Sequence, residues 1–191
     1  MMTHYPNLKI LAFVGLTGSG KSTAVKYFTE KGYPKVHFGG FAYEMMEERG
    51  IEKGEENERK FRKEIREELG DDVYAQRAAD QINHLAQAGQ HRIVIDGIYS
   101  WAEYIRLKHE FPGELKVIAI VAPKHRRYKW LEQRAHDRPQ SAQTSAERDT
   151  HEIIALNKGG PIAAADYFAM NNGSFDELYE QLDTIKDEVG F

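Results

Sequence analysis

Eight consecutive residues, Gly15-Leu16-Thr17-Gly18-Ser19-Gly20-Lys21-Ser22, set three glycines, a lysine and a hydroxyl in an order suited to handling phosphate. Glycines let the backbone turn with its N–H groups facing inward, making a nest for oxygens, and the positive end of a following helix adds to the pull on an anion. Lys21 is placed to reach the β- and γ-phosphates of a nucleotide, and the Ser22 hydroxyl is the expected ligand of a magnesium ion shared with them. Gly15, Thr17, Gly18, Ser19, Gly20, Lys21, Ser22 and Thr23 are therefore the expected contacts to ATP, with Mg2+ beside it. The plain alternative is a glycine-rich turn between strand and helix, which has no need of a lysine and a hydroxyl at its end. The loop does not choose between kinases, ATPases and GTPases, which all use it.

Such a loop works only between a strand and a helix. Residues 8–14 supply the strand, continuous in hydrophobicity as a parallel strand covered on both faces must be. Ala24, Val25 and Phe28 supply the apolar side of the helix after it. A second strand follows at 35–38, and a helix at 41–49 is stopped by Gly50. Phe61, Ile65 and Leu69 recur every four residues and predict an amphipathic helix over 56–69, with Arg62 and Arg66 one turn apart on a neighbouring face. Asp71 or Asp72 is the expected cap of a helix striped by Tyr74, Ala78, Ile82 and Leu85. The buried strand 92–97 ends in Asp96, where ligands gather in parallel sheets. A carboxylate there holds magnesium through water or orients an acceptor hydroxyl; the alternative is a cap or turn residue.

Further on, 100–110 reads as a helix, 115–121 as the fourth strand, and the helix after Pro123 turns Tyr128 and Leu131 toward the core. The polar stretch 137–145 suits a loop, 147–156 a helix, and 157–161 a break. Residues 166–170 form the last strand. Ser174 with Glu177 makes a capping box for a final helix whose Phe175, Leu178, Leu182, Ile185 and Val189 share one face. Strands alternating with helices give an α/β fold with a parallel sheet covered on both faces. Residues 41–89 hold helices without a strand and read as a lobe that covers an acceptor site.

At 191 residues the chain is one domain able to bury a core without staples. Cysteine is absent, which removes disulfides, thiolate zinc sites and cysteine nucleophiles. The first seven residues lack signal-peptide character and no apolar run is long enough to span a bilayer, so the expectation is a cytoplasmic protein without membrane partners. The eight histidines show no metal-ligand spacing and are assigned to surface or core. Net charge is −4, yet 124–138 carries six Lys or Arg against two carboxylates. That stretch lacks aromatic interleaving beyond Tyr128 and Trp130, so no nucleic-acid partner is expected.

Taken in order, the loop at Gly15, the run Phe61-Arg-Lys-Glu-Ile-Arg-Glu-Glu-Leu-Gly, Val94-Ile-Asp-Gly-Ile, Glu147-Arg-Asp, and Ala165-Asp-Tyr followed by Asn172-Gly-Ser resemble small P-loop kinases. The likeness is to adenylate and CMP kinases, dephospho-coenzyme A kinases, and above all predicted nucleotide kinases related to them. It covers nearly the whole chain. It implies a P-loop NTPase fold with five strands in the order 2-3-1-4-5, an acceptor-binding lobe over 41–89, and an arginine-bearing lid over 124–148. The implied activity is phosphoryl transfer from ATP-magnesium to a small nucleotide-like acceptor, with dephospho-CoA kinase-like or nucleoside kinase activity as the alternative, by a monomer or homodimer. Lys21 and Asp96 would be catalytic, with Arg127, Arg134 and Arg148 as lid candidates, and the base of ATP would lie near Asn172 and Gly173.

Two departures bear on the acceptor. Those kinases commonly have Gly-Asp-x-x-Arg after the second strand, where this chain has Gly39-Gly40-Phe41-Ala42-Tyr43, and an arginine after the Asp-Gly of the third strand, where it has Tyr99 and Ser100. Either Arg62, Arg66 and Arg77 restore the lost charge, or the acceptor is uncharged there or presents a ring to Tyr43 and Tyr99. From another class, an NTP-hydrolysing switch would fit Asn157-Lys158-Gly159-Gly160 only if an aspartate stood at Gly160 to read guanine.

Overall fold

The computed structural model describes residue 5, residues 7–133 and residues 141–191. Five strands, β1 (Lys9–Val14), β2 (Lys35–His37), β3 (Arg92–Asp96), β4 (Leu115–Val121) and β5 (Tyr167–Met170), form one parallel sheet in the order β2-β3-β1-β4-β5. The two-residue period of a strand splits its side chains between two cores. Ile10, Ala12, Val14, Ile93, Ile95, Val117 and Ala119 face one; Leu11, Phe13, Val94, Ile118 and Ile120 face the other.

The first core is covered by α2 (Phe38–Glu48), α3 (Glu55–Leu69), α4 (Val73–Gln87) and α5 (Trp101–Glu110); the second by α1 (Lys21–Thr29) and α9 (Phe175–Val189). Leu178, Leu182 and Ile185 seat α9, each contributing roughly 1.5–3 kcal/mol by burial. The helices between β2 and β3 share the sheet's own core through Phe41, Phe61, Ile65, Tyr74 and Ile82. Three further helices, α6 (Lys124–Glu132), α7 (Ala142–Ile154) and α8 (Gly159–Ala163), lie between β4 and β5 in the chain.

Several local expectations change. α2 starts at Phe38, three residues earlier than the pattern indicated, because His37 ends β2 and serves directly as the N-cap residue. Leu69 is 45% exposed, since α3 stops there and its last turn overhangs the core. Asp72 is the N-cap residue of α4 but makes no side-chain cap bond; its carboxylate accepts from Gln76 and Arg106 instead. α7 starts at Ala142, taking in residues 142–145, because Ser141 Oγ accepts from the Thr144 N–H and caps it. The break after α7 contains the short α8, with Pro161 tolerated in a first turn where its missing N–H is not needed. On α6, Leu131 is buried as expected, but the second buried side chain is Arg127, while Tyr128 is half-buried.

Two helices carry a complete capping box, Ser100 with Glu103 on α5 and Ser174 with Glu177 on α9. Ser100 and Glu103 are buried, whereas Ser174 is exposed. Losing the buried hydroxyl strands an N–H that water replaces at the exposed site. Ser100→Ala should therefore cost about 2 kcal/mol and Ser174→Ala about 0.5–1 kcal/mol. Urea unfolding measures both, and the opposite ranking would reject the account.

Candidate active site

Parallel pairing sets the site at the carboxyl edge of the sheet. The register places Phe13 of β1 and His37 of β2 beside Asp96 of β3, and β1 runs straight into the glycine loop at Gly15. The loop is held from three sides. Asn171, just past β5, donates to the Ser19 carbonyl at 2.9 Å. Arg127 of α6 donates to the Thr17 carbonyl at 2.8 Å. Glu152 of α7 accepts from the Thr17 hydroxyl at 2.7 Å. Gly18 packs against Leu131 of α6. Gly20 has φ 98°, and a Cβ there would strike the Asn171 side-chain amide, so conformation and space both demand glycine.

At the end of the loop Lys21 Nζ donates to Asp96 Oδ1. Burial opposes the Lys21 ammonium, but Tyr99, Asp96 and Glu152 together outweigh it and hold its pKa above the ordinary lysine value. His37 Nε2 lies 3.8 Å from Asp96 Oδ2. Burial lowers the His37 pKa more than Asp96 raises it, with Lys35, Lys21 and Arg62 adding to the lowering. Ser22 is exposed in the first turn of α1, with Thr23 half-buried beside it. Ser19 Oγ is buried in the loop with no hydrogen-bond partner, the kind of orphan that ligand oxygens complete. One hydroxyl and one carboxylate at the edge, joined by phosphate oxygens and water, suit magnesium, which prefers oxygen donors and keeps several waters. The residues therefore fit the pair ATP and Mg2+. Among the described residues no cluster of three or more His, Asp or Glu forms a metal cage.

The lid candidates separate. Arg127 is 5% exposed and forms a double hydrogen bond with Asp149 of α7, at 3.0 and 2.6 Å, to which Tyr128 also donates. Arg148, one residue before Asp149, is exposed and lies with Nε 3.4 Å from Glu152. Arg134 lies outside the described residues. Asn172 and Gly173 are exposed beyond β5, and the Asn172 carbonyl accepts from Arg126.

On the acceptor side Tyr43 donates to Glu58 at 2.9 Å, and the Arg62 guanidinium lies 5.7 Å from its ring centroid. Arg66 is paired with the fully buried Glu103 at 3.2 Å, and Arg77 with Glu48 at 2.8 Å. Burial drives the Glu103 pKa up against the pull of Arg66 and the Tyr99 and Ser100 N–H groups. The Tyr99 ring is approached by two ammonium groups, Lys21 at 6.0 Å and Lys158 at 5.2 Å. Burial raises the Tyr99 pKa more than Lys21 lowers it.

Asn171, His37, Asp149, Glu152 and Lys158 belong to this site and were not singled out for it by the sequence. Signals existed for three of them. Asp149 ends the run Glu147-Arg-Asp. Asn171 follows the carboxyl end of a strand, and Glu152 sits one turn after Arg148 on the same helix. His37 carried only a sheet register that no sequence prints, and Lys158 drew notice only as part of a guanine-reading pattern.

Comparison with known proteins bears on the family and the fold. A family model described as an AAA domain matches residues 11–155. A UPF0200 protein of Thermococcus kodakarensis is 36% identical over 182 residues, covering 94% of this chain and 97% of its own. Among solved structures, a dephospho-CoA kinase from Campylobacter jejuni has TM-score 0.55 at 18% identity, covering 94% of this chain and 96% of its own. A shikimate kinase from Bacteroides thetaiotaomicron has TM-score 0.56 at 12% identity, covering 96% and 99%. At those identities the structures speak for the fold, which is that of P-loop kinases. The chain belongs to the family described as an AAA domain and to the UPF0200 proteins.

Proposed function

We propose that the protein is a phosphotransferase that moves the terminal phosphoryl group of ATP-magnesium to a small nucleotide-like acceptor. The observation that carries this reading is the junction of Lys21 and Asp96 at the carboxyl edge, with a second wall of side chains facing it. That wall comes from α3 and the segment after β3, whose Arg62 is close enough to bear on both His37 and Tyr99. A switch that only hydrolyses a nucleotide has no use for it. Nor does Lys158 sit as a base reader, being buried against Glu152 at 2.7 Å. The names of the structural neighbours lend support at the level of class, since dephospho-CoA kinase and shikimate kinase are small-molecule kinases.

In this reading the loop amides and Lys21 bind and orient the triphosphate, and Thr17 lines the same cradle. Ser22 and Asp96 would hold magnesium, which supplies neutralisation of phosphate charge. Asp96 also orients the acceptor hydroxyl, with His37 beside it. Arg148 meets the charge that develops on the transferring group, while Arg127, spent on Asp149 and the Thr17 carbonyl, holds the loop in shape. With Arg66 and Arg77 each engaged by a carboxylate, the acceptor wall offers Arg62 and two tyrosines. That favours an acceptor that presents a ring or an uncharged group over a plain monophosphate.

Two predictions follow from these roles. Labelled ATP offered with a panel of nucleosides, nucleoside monophosphates and dephospho-coenzyme A should give acceptor-dependent transfer, with AMP and CMP poor, and Lys21→Ala should abolish it in a folded protein. Undiminished transfer by Lys21→Ala rejects the assignment, and efficient AMP phosphorylation lost in Arg62→Ala restores an ordinary nucleoside monophosphate kinase. Arg148→Ala should lower turnover about 10³-fold with stability unchanged. Arg127→Ala should instead destabilise by about 3–5 kcal/mol, because Asp149 is left buried without its partner. Turnover and urea unfolding of the two variants separate the roles, and the reverse pattern would exchange them.

A further inference from the structure

The corner between α7 and α8 carries a lysine that the proposed chemistry does not yet use. Lys158 is 4% exposed, and its ammonium donates to Glu152 Oε2 at 2.7 Å. Its main-chain N–H bonds the Glu152 carbonyl at 3.1 Å, and Asn157 before it adopts φ 51°, so backbone and side chain both fix the lysine toward that carboxylate. The other Glu152 oxygen accepts from Thr17 inside the phosphate loop at 2.7 Å. A pair serving only to tie a helix corner would have no reason to end on a side chain of the nucleotide loop.

The Tyr99 ring brings the Lys158 and Lys21 ammonium groups to one place, and two electrostatic couplings accord with that geometry. Both face the Tyr99 ring, at 5.2 and 6.0 Å from its centroid. Glu152 bears electrostatically on Lys21 as well as on Lys158. Lys21 in turn acts on Lys158 as a neighbouring like charge, adding to the burial that lowers its pKa. An ammonium carries three donors, and a hydrogen bond to Glu152 occupies one. Two like charges brought to one ring in a buried setting are costly unless anions join them. Asp96 and Glu152 offset that repulsion, and polyphosphate oxygens would offset it further.

We propose that Lys158 is a second phosphate-binding ammonium of this site, aimed by Glu152 at the oxygens of a linear polyphosphate. The inference rests on the reading that the loop binds a nucleoside triphosphate. It adds a ligand contact that arrives from the α7–α8 corner, far along the chain from the loop. Trp101 of α5 packs on the backbone of this corner, where a Cβ at Gly160 would come within 2.6 Å of its ring, so the lysine is braced from the acceptor side as well. Glu152 is a positioning residue here, because it acts through Lys158.

The test is equilibrium binding of ATP and of inorganic tripolyphosphate to the full chain, followed by calorimetry, with folding of each variant checked by circular dichroism. Lys158→Ala should weaken both ligands by about 10- to 100-fold, the effect of losing one charge-assisted hydrogen bond. Should that variant not fold, Glu152→Gln and the Lys158→Ala/Glu152→Gln double variant carry the same comparison, since the double variant leaves no buried charge unpartnered. Equal affinities within the folded pair overturn the proposal, and so does a loss confined to ATP, which would place Lys158 on the base or ribose. Wild-type protein that binds neither ligand rejects the nucleotide reading itself. Wild-type binding that Lys21→Ala weakens and Lys158→Ala leaves intact rejects only the role of Lys158.

Discussion

A loop rich in glycine cannot hold its own shape, and the rest of this structure depends on how that loop is gripped. Glycine gains backbone freedom at the cost of conformational entropy, so each N–H that must point inward has to be fixed from outside. Here the outside grips are few and specific. They are the Asn171 amide on the Ser19 carbonyl, the Arg127 guanidinium on the Thr17 carbonyl, and the Glu152 carboxylate on the Thr17 hydroxyl. They come from the end of β5, from α6 and from α7, elements separated from the loop by more than a hundred residues of chain. The loop is therefore ordered by the completed fold and not by its own sequence.

The same grips explain where buried charge sits. Among the described residues four ion pairs have little exposure: Lys21 with Asp96, Arg127 with Asp149 and Arg66 with Glu103 each join two different elements, and Lys158 with Glu152 fixes the corner after α7. Replacing such pairs by apolar contacts often leaves stability the same or better, because desolvation consumes most of the Coulomb gain. What a pair provides that an apolar contact does not is a single fixed geometry. All but the Arg66 and Glu103 pair lie at the phosphate end, where position matters most. Arg66 and Glu103 instead fix α3 against the start of α5, with the Tyr99 and Ser100 N–H groups donating to the same carboxylate.

Much of the architecture was legible in the sequence because strands and amphipathic helices write their periodicity locally. The fourth strand, the Leu178, Leu182 and Ile185 stripe of α9 and its Ser174–Glu177 box could be read from the sequence, while Phe175, expected on the same stripe, is 60% exposed in the first turn. The loop was legible too, as chemistry: glycines, lysine and hydroxyl in one run. The supports of the loop were not. Tyr128 was expected in the core of α6 on hydrophobicity, yet Arg127 takes the buried place because Asp149 and a loop carbonyl satisfy all that its guanidinium needs there. Lys158 entered the reading only as part of a guanine-reading pattern and Glu152 not at all, because what ties them to the loop is Thr17, far away in the chain. The buried place of Arg127 is likewise set by Asp149 and the Thr17 carbonyl, which are not its sequence neighbours.

The two ends of the site are consequently built on different physics. On the proposed reading the phosphate end meets a fixed anion with backbone N–H groups and ammonium groups held by carboxylates. At the acceptor end two arginine charges are already spent on Glu103 and Glu48, and rings stand beside them: Tyr43, bonded to Glu58 and near Arg62, Tyr99, approached by two lysines, and Trp101 stacked on Tyr104. An aromatic wall selects by shape and stacking, with energies near 1 kcal/mol per contact, whereas a charged cradle selects by valence. Tyr99 belongs to both ends, since its ring faces Lys21 and Lys158 while its N–H is bound by Glu103. A shift at the start of α5 would move Tyr99 relative to both ammonium groups, because the Glu103 carboxylate that caps α5 also holds the Tyr99 N–H.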